Sequence, residues 1–403
     1  MNMFEEDYIP LYINVPTSKS LSNRWLVLNY LSNNAITLSN LSTADDTVLL
    51  QTLLKQIEAG NNNVFYCKNA GTTARFLTAL LSIQEGKEYI IDGDERMRQR
   101  PISPMVEALQ QIGCDILYIN KQGYFPLKIK GRQPSSNRIS ISGALSSQFI
   151  SALMLVAPFL QNGLSIEIKG KIVSESYITM TKKVLEQAGV SVLWENNNIH
   201  IHNTIIKQQN ISIEKDWSSV SYIYNWVLFS EKNYWVHIKG IVEDSWQGDK
   251  VVATLYEPLG VATSYTENGI ILTRKACTID NFMYNFSSCP DLVPTLAVAC
   301  AGLGISGILT GLDTLPYKET NRIEALTNEL RKIGVNVLCN ENSIMVKGQI
   351  TTPKTICTYN DHRMAMAFAS LQILNKNITI ENPTVVGKSF PEYWHEIEVF
   401  LAN

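Results

Sequence analysis

The 403-residue chain has no excess of positive charge: 34 Lys and Arg stand against 37 Asp and Glu, for a net charge of −3. A general polyanion binder carries a strongly basic balance, so nucleic acid is disfavoured as the main partner. The chain also has no Cys-x-x-Cys. Its seven cysteines (Cys67, Cys114, Cys277, Cys289, Cys300, Cys339, Cys357) are odd in number and scattered. They read as mostly buried thiols of a reducing cytosol, not as a zinc site or a disulfide framework. Long hydrophobic runs are missing: the strongest, Phe149 to Leu160, is too short to span a bilayer and contains Ser151 and Pro158. The opening Met1-Asn-Met-Phe-Glu-Glu-Asp7 is acidic and lacks the basic start of a secretory signal. These absences predict a cytoplasmic protein with no membrane partner. The rest of the composition, 45% apolar and 18% charged, is that of a globular chain of two or three domains.

What is present is a repeat. Six β-rich runs end on Gly or Asn: Ile36-Thr-Leu-Ser-Asn40, Tyr89-Ile-Ile-Asp-Gly93, Ser165-Ile-Glu-Ile-Lys-Gly170, Trp235-Val-His-Ile-Lys-Gly240, Gly307-Ile-Leu-Thr-Gly311 and Ile378-Thr-Ile-Glu-Asn382. Their starts lie 53, 76, 70, 72 and 71 residues apart, which accounts for the whole chain. Between them, helical patterns close on Gly113, Gly189, Gly260 and Gly334, with a weaker copy at Gly60 and a last one over Phe390 to Leu401. Glycine at that place accepts the left-handed conformation that ends a helix. Each copy reads as β-α-β-α-β-β. Six copies divide three and three, predicting one domain over residues 16–214 and a second over 1–15 with 215–403, entered by a short strand at Tyr12 to Val15.

The first helix of each copy begins at a polar segment: Ser18-Lys-Ser20, Asn69-Ala-Gly71-Thr72, Ser146-Ser147-Gln148, Asp216-Trp-Ser218-Ser219, Pro290-Asp291 and Asp361-His-Arg363. Second helices begin near Arg96-Met-Arg-Gln-Arg-Pro101, Ser174-Glu-Ser-Tyr177, Lys318-Glu-Thr-Asn-Arg322 and Lys388-Ser-Phe-Pro391. Arginine is scarce, 11 in all, yet Arg24, Arg75, Arg96, Arg98, Arg100, Arg322 and Arg363 fall in these segments. Ser, Thr, Asn and Asp at a helix start are commonly caps and nothing more. Cations there oppose the helix dipole, and their recurrence at one topological position argues for bound anions that compensate them. The planar fork of Arg suits phosphate and carboxylate. The segments predict a cleft for small, highly charged anions.

In these segments, taken in order, the chain resembles the 5-enolpyruvylshikimate-3-phosphate synthases. Ser18-Lys-Ser-Leu-Ser-Asn-Arg24, Asn69-Ala-Gly-Thr-Thr-Ala-Arg75, Lys318-Glu-Thr-Asn-Arg322 and Asp361-His-Arg-Met-Ala-Met366 carry the resemblance most specifically. It implies an α/β fold of two similar domains, each of three β-α-β-α-β-β repeats in an inside-out α/β barrel, with the active site in the interdomain cleft. It implies transfer of the enolpyruvyl group of phosphoenolpyruvate to the 5-hydroxyl of shikimate 3-phosphate, releasing phosphate, in the shikimate route to aromatic amino acids. No metal, no cofactor and a monomer are expected, and glyphosate is the family's inhibitor.

Carried over position by position, the resemblance implies that Lys19, Ser20, Arg24, Ser146, Ser147, Gln148, Ser174, Tyr177, Asp291 and Lys318 hold shikimate 3-phosphate. Ser146, Ser147 and Ser174 would face its phosphate and Arg24 its carboxylate. Phosphoenolpyruvate would lie among Lys19, Gly71, Arg96, Gln148, Arg322, Arg363 and Lys388, with Gly71 allowing close backbone approach. Asp291 is the expected base, Glu319 the acid, and Lys19 shares in proton transfer. Four positions depart from the family pattern: Thr17, Thr73, Phe76 and Thr314 stand where Gly, Ala, Pro and Asn are usual.

Other signals point elsewhere less well. His200-Ile-His202 lacks a third metal ligand and reads as surface. Tyr222, Tyr224 and Trp226 fit helical packing, and Gly302-x-Gly304-x-x-Gly307 follows an apolar helix where a dinucleotide loop follows a strand. UDP-N-acetylglucosamine enolpyruvyl transferase, the nearest alternative, would show Lys-Asn at Lys19-Ser20 and lack Asp361-His-Arg-Met-Ala-Met366. A catalytically dead anion-binding relative would lose Asp291, Glu319 or Lys19, and a structural solenoid would lack charged helix starts.

Overall fold

A computed structural model describes residues 9–403; the acidic opening segment, residues 1–8 of the predicted second domain, lies outside the described residues. The chain opens with β1 (Ile9–Tyr12), α1 (Lys19–Leu31), β2 (Ile36–Ser39) and α2 (Asp45–Ala59). There follow β3 (Val64–Tyr66), α3 (Gly71–Ser82), β4 (Glu88–Asp92), α4 (Ser103–Gln111), β5 (Asp115–Tyr118) and β6 (Leu127–Lys130). The same order returns in β7 (Arg138–Ser142), α5 (Ser147–Val156), β8 (Leu164–Lys169), α6 (Glu175–Gln187), β9 (Val192–Glu195) and β10 (Asn198–Ile201), before β11 (Gln209–Ser212). Next come α7 (Trp217–Phe229), β12 (Tyr234–Lys239), α8 (Val252–Tyr256), β13 (Val261–Thr266) and β14 (Gly269–Arg274). Then β15 (Asn281–Asn285), α9 (Val293–Leu303), β16 (Ser306–Thr310), α10 (Arg322–Lys332), β17 (Asn336–Cys339) and β18 (Ser343–Lys347). The chain closes with β19 (Thr355–Ile356), α11 (His362–Ala369), β20 (Thr379–Ile380) and α12 (Tyr393–Ala402).

Two compact units result. Lys19–Ile213 form a contiguous unit; residues 9–18 with Glu214–Asn403 form a split one. In the contiguous unit the sheets are β3-β4-β6-β5, β7-β8-β10-β9 and the pair β11-β2. In the split unit they are β1-β12-β14-β13, β15-β16-β18-β17 and the pair β19-β20. Each sheet begins with a parallel pair, and each four-stranded sheet ends in an antiparallel hairpin. Four repeats therefore carry the whole β-α-β-α-β-β pattern, while one in each unit stops short of its hairpin. The opening strand expected at Tyr12 to Val15 lies at Ile9–Tyr12, where Ile9 pairs with Tyr234 and Tyr12 with His237.

The six β-rich runs all became the second strand of a repeat. Leu164, Ile166 and Ile168 of β8, and Tyr234, Val236 and Ile238 of β12, point inward at period two. The helices fall into two classes. First helices such as α5 (Ser-Gln-Phe-Ile-Ser-Ala-Leu-Met-Leu-Val) and α9 (Val-Pro-Thr-Leu-Ala-Val-Ala-Cys-Ala-Gly-Leu) are apolar almost all round and nearly wholly buried. They pack on one another, α1, α3 and α5 in the contiguous unit and α7, α9 and α11 in the split one. Second helices are one-sided: α10 buries Ile323, Leu326 and Leu330 but exposes Glu324 and Asn328. The buried helices thus form the middle of each unit, and their N-termini gather the polar segments.

The helix-closing glycines Gly60, Gly113, Gly189, Gly260 and Gly334 all have positive φ. Gly334, at φ +94°, follows α10, and an added Cβ would overlap the Thr351 hydroxyl. Gly334→Ala is expected to cost about 1–3 kcal/mol, read as a lowered urea midpoint. Gly304 likewise ends α9 at φ +73°, the place of a helix stop and not of a dinucleotide loop. Among the described residues, no helix is long and apolar enough to cross a membrane. Cys67, Cys114, Cys289 and Cys300 are buried, Cys277 and Cys339 exposed, and all seven are free thiols.

Candidate active site

In the contiguous unit, Lys19 opens α1, and its Nζ pairs with Asp46 Oδ2 at 3.0 Å. One turn on, Arg24 is 2% exposed. Its Nε donates to Thr181 Oγ1 at 2.7 Å, Nη1 to the Ser20 carbonyl at 2.8 Å, and Nη2 to Ser151 Oγ and the Tyr177 carbonyl at 3.2 and 3.1 Å. The guanidinium lies 5.7 Å from the Phe76 ring and 6.0 Å from that of Tyr177. Among the described residues its hydrogen-bond acceptors are hydroxyls and carbonyls, none of them a carboxylate. Burial lowers Arg24 to about 10, the Tyr177 phenol opposing. Among the described residues no carboxylate bonds this cation, and a bound carboxylate would supply the counter-charge.

Beside it, Ser146 caps α5, accepting from the Gln148 backbone N–H at 3.3 Å. Gln148 Nε2 reaches Thr72 Oγ1 at 3.1 Å, while its buried Oε1 has no hydrogen-bond partner among the described residues. Ser174, buried before α6, holds the left-handed conformation at φ 52°. In a non-glycine residue that is strain of the kind binding sites retain. Gly71 opens α3 against two guanidiniums: a Cβ there would come 2.5 Å from Arg75 Nη1 and 2.7 Å from Arg100 Nη1 and Nη2. Arg100 is 4% exposed. Arg96, the expected ligand from this segment, sits half-buried before the short 3-10 turn Met97–Gln99. The cation that segment brings to Gly71 is thus Arg100, which the sequence reading left outside the site.

The split unit gathers more charge. Asp291, 13% exposed in its side chain and just before α9, accepts from three cations. Lys318 Nζ and Arg322 Nη1 lie 3.1 and 2.9 Å from Oδ1, and Arg363 Nη2 lies 2.8 Å from Oδ2. Arg322, the first residue of α10 and 1% exposed, also donates from Nη2 to Glu319 at 2.9 Å. To Asp361 it donates from Nε at 2.7 Å and from Nη2 at 3.2 Å. Asp361 is the cap of α11 and accepts the Arg363 backbone N–H at 2.9 Å. Lys388 Nζ stands 3.5 Å from Glu319 Oε1. Burial alone would raise the Asp291 carboxyl, but Arg363, Lys318 and Arg322 together hold it well below the carboxylate range. Burial lowers Lys318, Asp291 opposing.

Four residues at these sites escaped the sequence reading. Asp46 is recognised only by its partner in space, and Arg100, one of the clustered arginines, is singled out by its place against Gly71. Asp361 stands inside a quoted motif and could have been taken from it. Tyr222 was read as packing and does pack, edge-on to Tyr393 at 6.0 Å, yet its hydroxyl accepts from Arg363 Nη1 at 3.3 Å. The four departures also have places. Thr17 bridges Lys215, Thr73 donates to the Asp46 carbonyl at 3.2 Å, Phe76 faces Arg24, and Thr314 is buried with its hydroxyl unbonded. His200 and His202 are exposed, and His200 Nδ1 lies 2.9 Å from Ser165 Oγ.

Comparison with known proteins agrees with the motif order. Residues 48–397 match the family model described as EPSP synthase (3-phosphoshikimate 1-carboxyvinyltransferase). A relative from Bacteroides fragilis named 3-phosphoshikimate 1-carboxyvinyltransferase is 40% identical over 390 residues, spanning 96% of this chain and 94% of its own. One from Colwellia psychrerythraea with the same name is 33% identical over 415 residues, spanning 95% of each. The fold matches a solved EPSP synthase from Acinetobacter baumannii with a TM-score of 0.75 at 20% identity, over 98% of this chain and 96% of that one. By the family model, the identities and the breadth of the match, the chain belongs to the EPSP synthase family of 3-phosphoshikimate 1-carboxyvinyltransferases.

Proposed function

We propose that the chain transfers the 1-carboxyvinyl group of phosphoenolpyruvate to the 5-hydroxyl of shikimate 3-phosphate and releases phosphate. The observation that carries this reading is the Asp291 carboxylate held by three cations, two of them arginines in the first turn of buried or half-buried helices. Cations there oppose the helix dipole and are stable once an anion joins them. In this reading Lys19, Ser20, Arg24, Ser146, Ser147, Gln148, Ser174, Tyr177, Asp291 and Lys318 hold shikimate 3-phosphate. Lys19, Gly71, Arg96, Gln148, Arg322, Arg363 and Lys388 hold phosphoenolpyruvate, with Arg100 added from its place against Gly71. Arg24 takes the ring carboxylate as its counter-charge.

Asp291 as found is a poor base, because its three cations favour the ionised form. Anionic substrates compete for those cations, and each one drawn away raises the basicity of Asp291 beside the 5-hydroxyl. The hydroxyl proton passes to Asp291 as its oxygen adds to phosphoenolpyruvate, while Glu319 protonates the methylene carbon and Lys19 assists. Elimination of phosphate from the tetrahedral adduct returns the protons, with Lys and Arg stabilising the departing charge. We read the protein as a cytoplasmic monomer acting without metal or organic cofactor.

The test is phosphate release from phosphoenolpyruvate by purified protein, with shikimate 3-phosphate and, separately, with UDP-N-acetylglucosamine. Release only with shikimate 3-phosphate is expected. Release only with the nucleotide sugar, or none from folded protein, overturns the reading. Arg24→Ala should raise the KM for shikimate 3-phosphate on the order of ten- to hundredfold, the worth of a charged hydrogen bond of about 1.5–3 kcal/mol. A selective rise in the KM for phosphoenolpyruvate would remove Arg24 from that role.

A further inference from the structure

A fourth carboxylate lies among these charges. Asp249 belongs to the short turn Gly248–Val251 that precedes α8 and is 3% exposed. Asp291, Glu319 and Asp361 each accept from at least one cation. Asp249 does not, among the described residues: Oδ2 accepts the Ser218 hydroxyl and Oδ1 is buried with no hydrogen-bond partner.

Its position is fixed from behind. Gln247 Oε1 accepts the Trp217 backbone N–H at 3.0 Å, and Nε2 donates to the Lys215 carbonyl at 2.7 Å and to Glu214 Oε1 at 2.6 Å. Ser245 bonds Glu214 as well. The groups facing Asp249 come from three sides: Asp291 before α9, Arg363 on α11 and Asp216 at the cap of α7, with Cys289 alongside. Burial first, then Asp291, push the Asp249 carboxyl up to about 6, against Arg363 and the Ser218 hydroxyl.

The local charge count shows what a proton there would do. Lys318, Arg322, Arg363 and Lys388 face five carboxylates, Asp291, Glu319, Asp361, Asp249 and Asp216, when all are ionised. A proton on Asp249 brings the two signs level and removes a charge that would repel an incoming anion. The same proton removes the charge from a buried oxygen that nothing bonds, the costliest form of a buried carboxylate.

We propose that Asp249 is a positioning residue that takes up a proton from solvent when anionic substrate binds, so that one of the negative charges near Arg363 that oppose the anion is removed while Asp291 keeps its own. This rests on the reading that the site binds phosphoenolpyruvate and shikimate 3-phosphate. An anion nearby raises the affinity of Asp249 for protons, and by reciprocity the proton raises affinity for the anion. Asp249→Asn mimics the protonated form and keeps an acceptor for Ser218.

The experiment titrates wild type and D249N with shikimate 3-phosphate and inorganic phosphate, a pair that cannot react forward, by calorimetry at pH 7 in buffers of different ionisation heat. Wild type should take up more protons per site than D249N. In steady state, the KM of wild type for phosphoenolpyruvate should rise between pH 6 and pH 8 about fivefold more than that of D249N, a coupling at the low end of the usual range. Equal proton counts and parallel pH profiles would overturn the proposal. D249N should also melt higher than wild type at pH 7.5 and lose that advantage toward pH 5, because an acid with a raised pKa weakens the fold only where it is ionised. If D249N fails to fold, Ser218→Ala serves. It removes the donor that favours the ionised form, so the pH limb should move upward, and an unmoved limb refutes the idea. Wild type that releases no phosphate sinks the functional reading, whereas matched proton counts sink this inference alone.

Discussion

Arg322→Ala should lose about 3–5 kcal/mol of stability, the usual consequence of removing one member of a buried ion-pair network. The guanidinium is the common partner of Asp361, Asp291 and Glu319, and Asp361 is wholly buried. Without it, Asp361 keeps the Arg363 backbone N–H and, at 3.8 Å, the His362 ring at the start of α11, so the loss extends to the helix that carries Arg363. Asp291 retains Lys318 and Arg363. Urea denaturation checks the magnitude, and pH checks the mechanism. A carboxylate whose native pKa is depressed contributes stability that is present above its unfolded value, about 4, and lost as pH falls toward the native one. Arg322 is one of the cations depressing Asp291. The stability of R322A should therefore fall less steeply than that of wild type below about pH 4. Equal slopes would mean Arg322 does not hold Asp291 ionised.

Asp291→Asn should separate turnover from binding. General acid–base groups contribute about 10²- to 10⁴-fold, and kcat should fall by that order. The KM values should stay level or drop, because Lys318, Arg322 and Arg363 lose the internal anion that competes with substrate. Turnover within a few-fold of wild type would remove Asp291 from the chemistry. A KM raised along with the fall in kcat would recast it as a substrate ligand only.

The features that were legible in the sequence are those that repeat locally. A β-rich run of five or six residues ending in Gly or Asn has few structures open to it, and all six such runs became the same strand of the repeat. A glycine after a periodic helix likewise predicted a left-handed stop at Gly113, Gly189, Gly260 and Gly334. Gly60 shows where this logic ends. It does stop α2, at φ 67°, but the next strand, β3, opens a new repeat, so the hairpin expected there is missing. The choice between Arg96 and Arg100 was equally out of reach, because three arginines within five residues look alike until the turn Met97–Gln99 buries one of them. Asp249 carried no signal at all. Its significance lies in Asp291 and Arg363, which stand far along the chain and are brought to it by the packing of α7, α9 and α11.

The pairing of β1 with β12 sets an order of assembly. Ile9 meets Tyr234 across more than two hundred residues, whereas every strand of the Lys19–Ile213 unit finds its partner within that stretch. During synthesis the contiguous unit can close as soon as β11 reaches β2. β1 must meanwhile remain without that partner, carrying Ile9 and Leu11, until β12 emerges. Domains generally fold as units while the chain grows, and unpaired edges are where growing chains associate wrongly. β1 thus stays exposed while the more than two hundred residues between it and β12 are made, and that interval, more than the stability of either finished unit, is where a chaperone would matter.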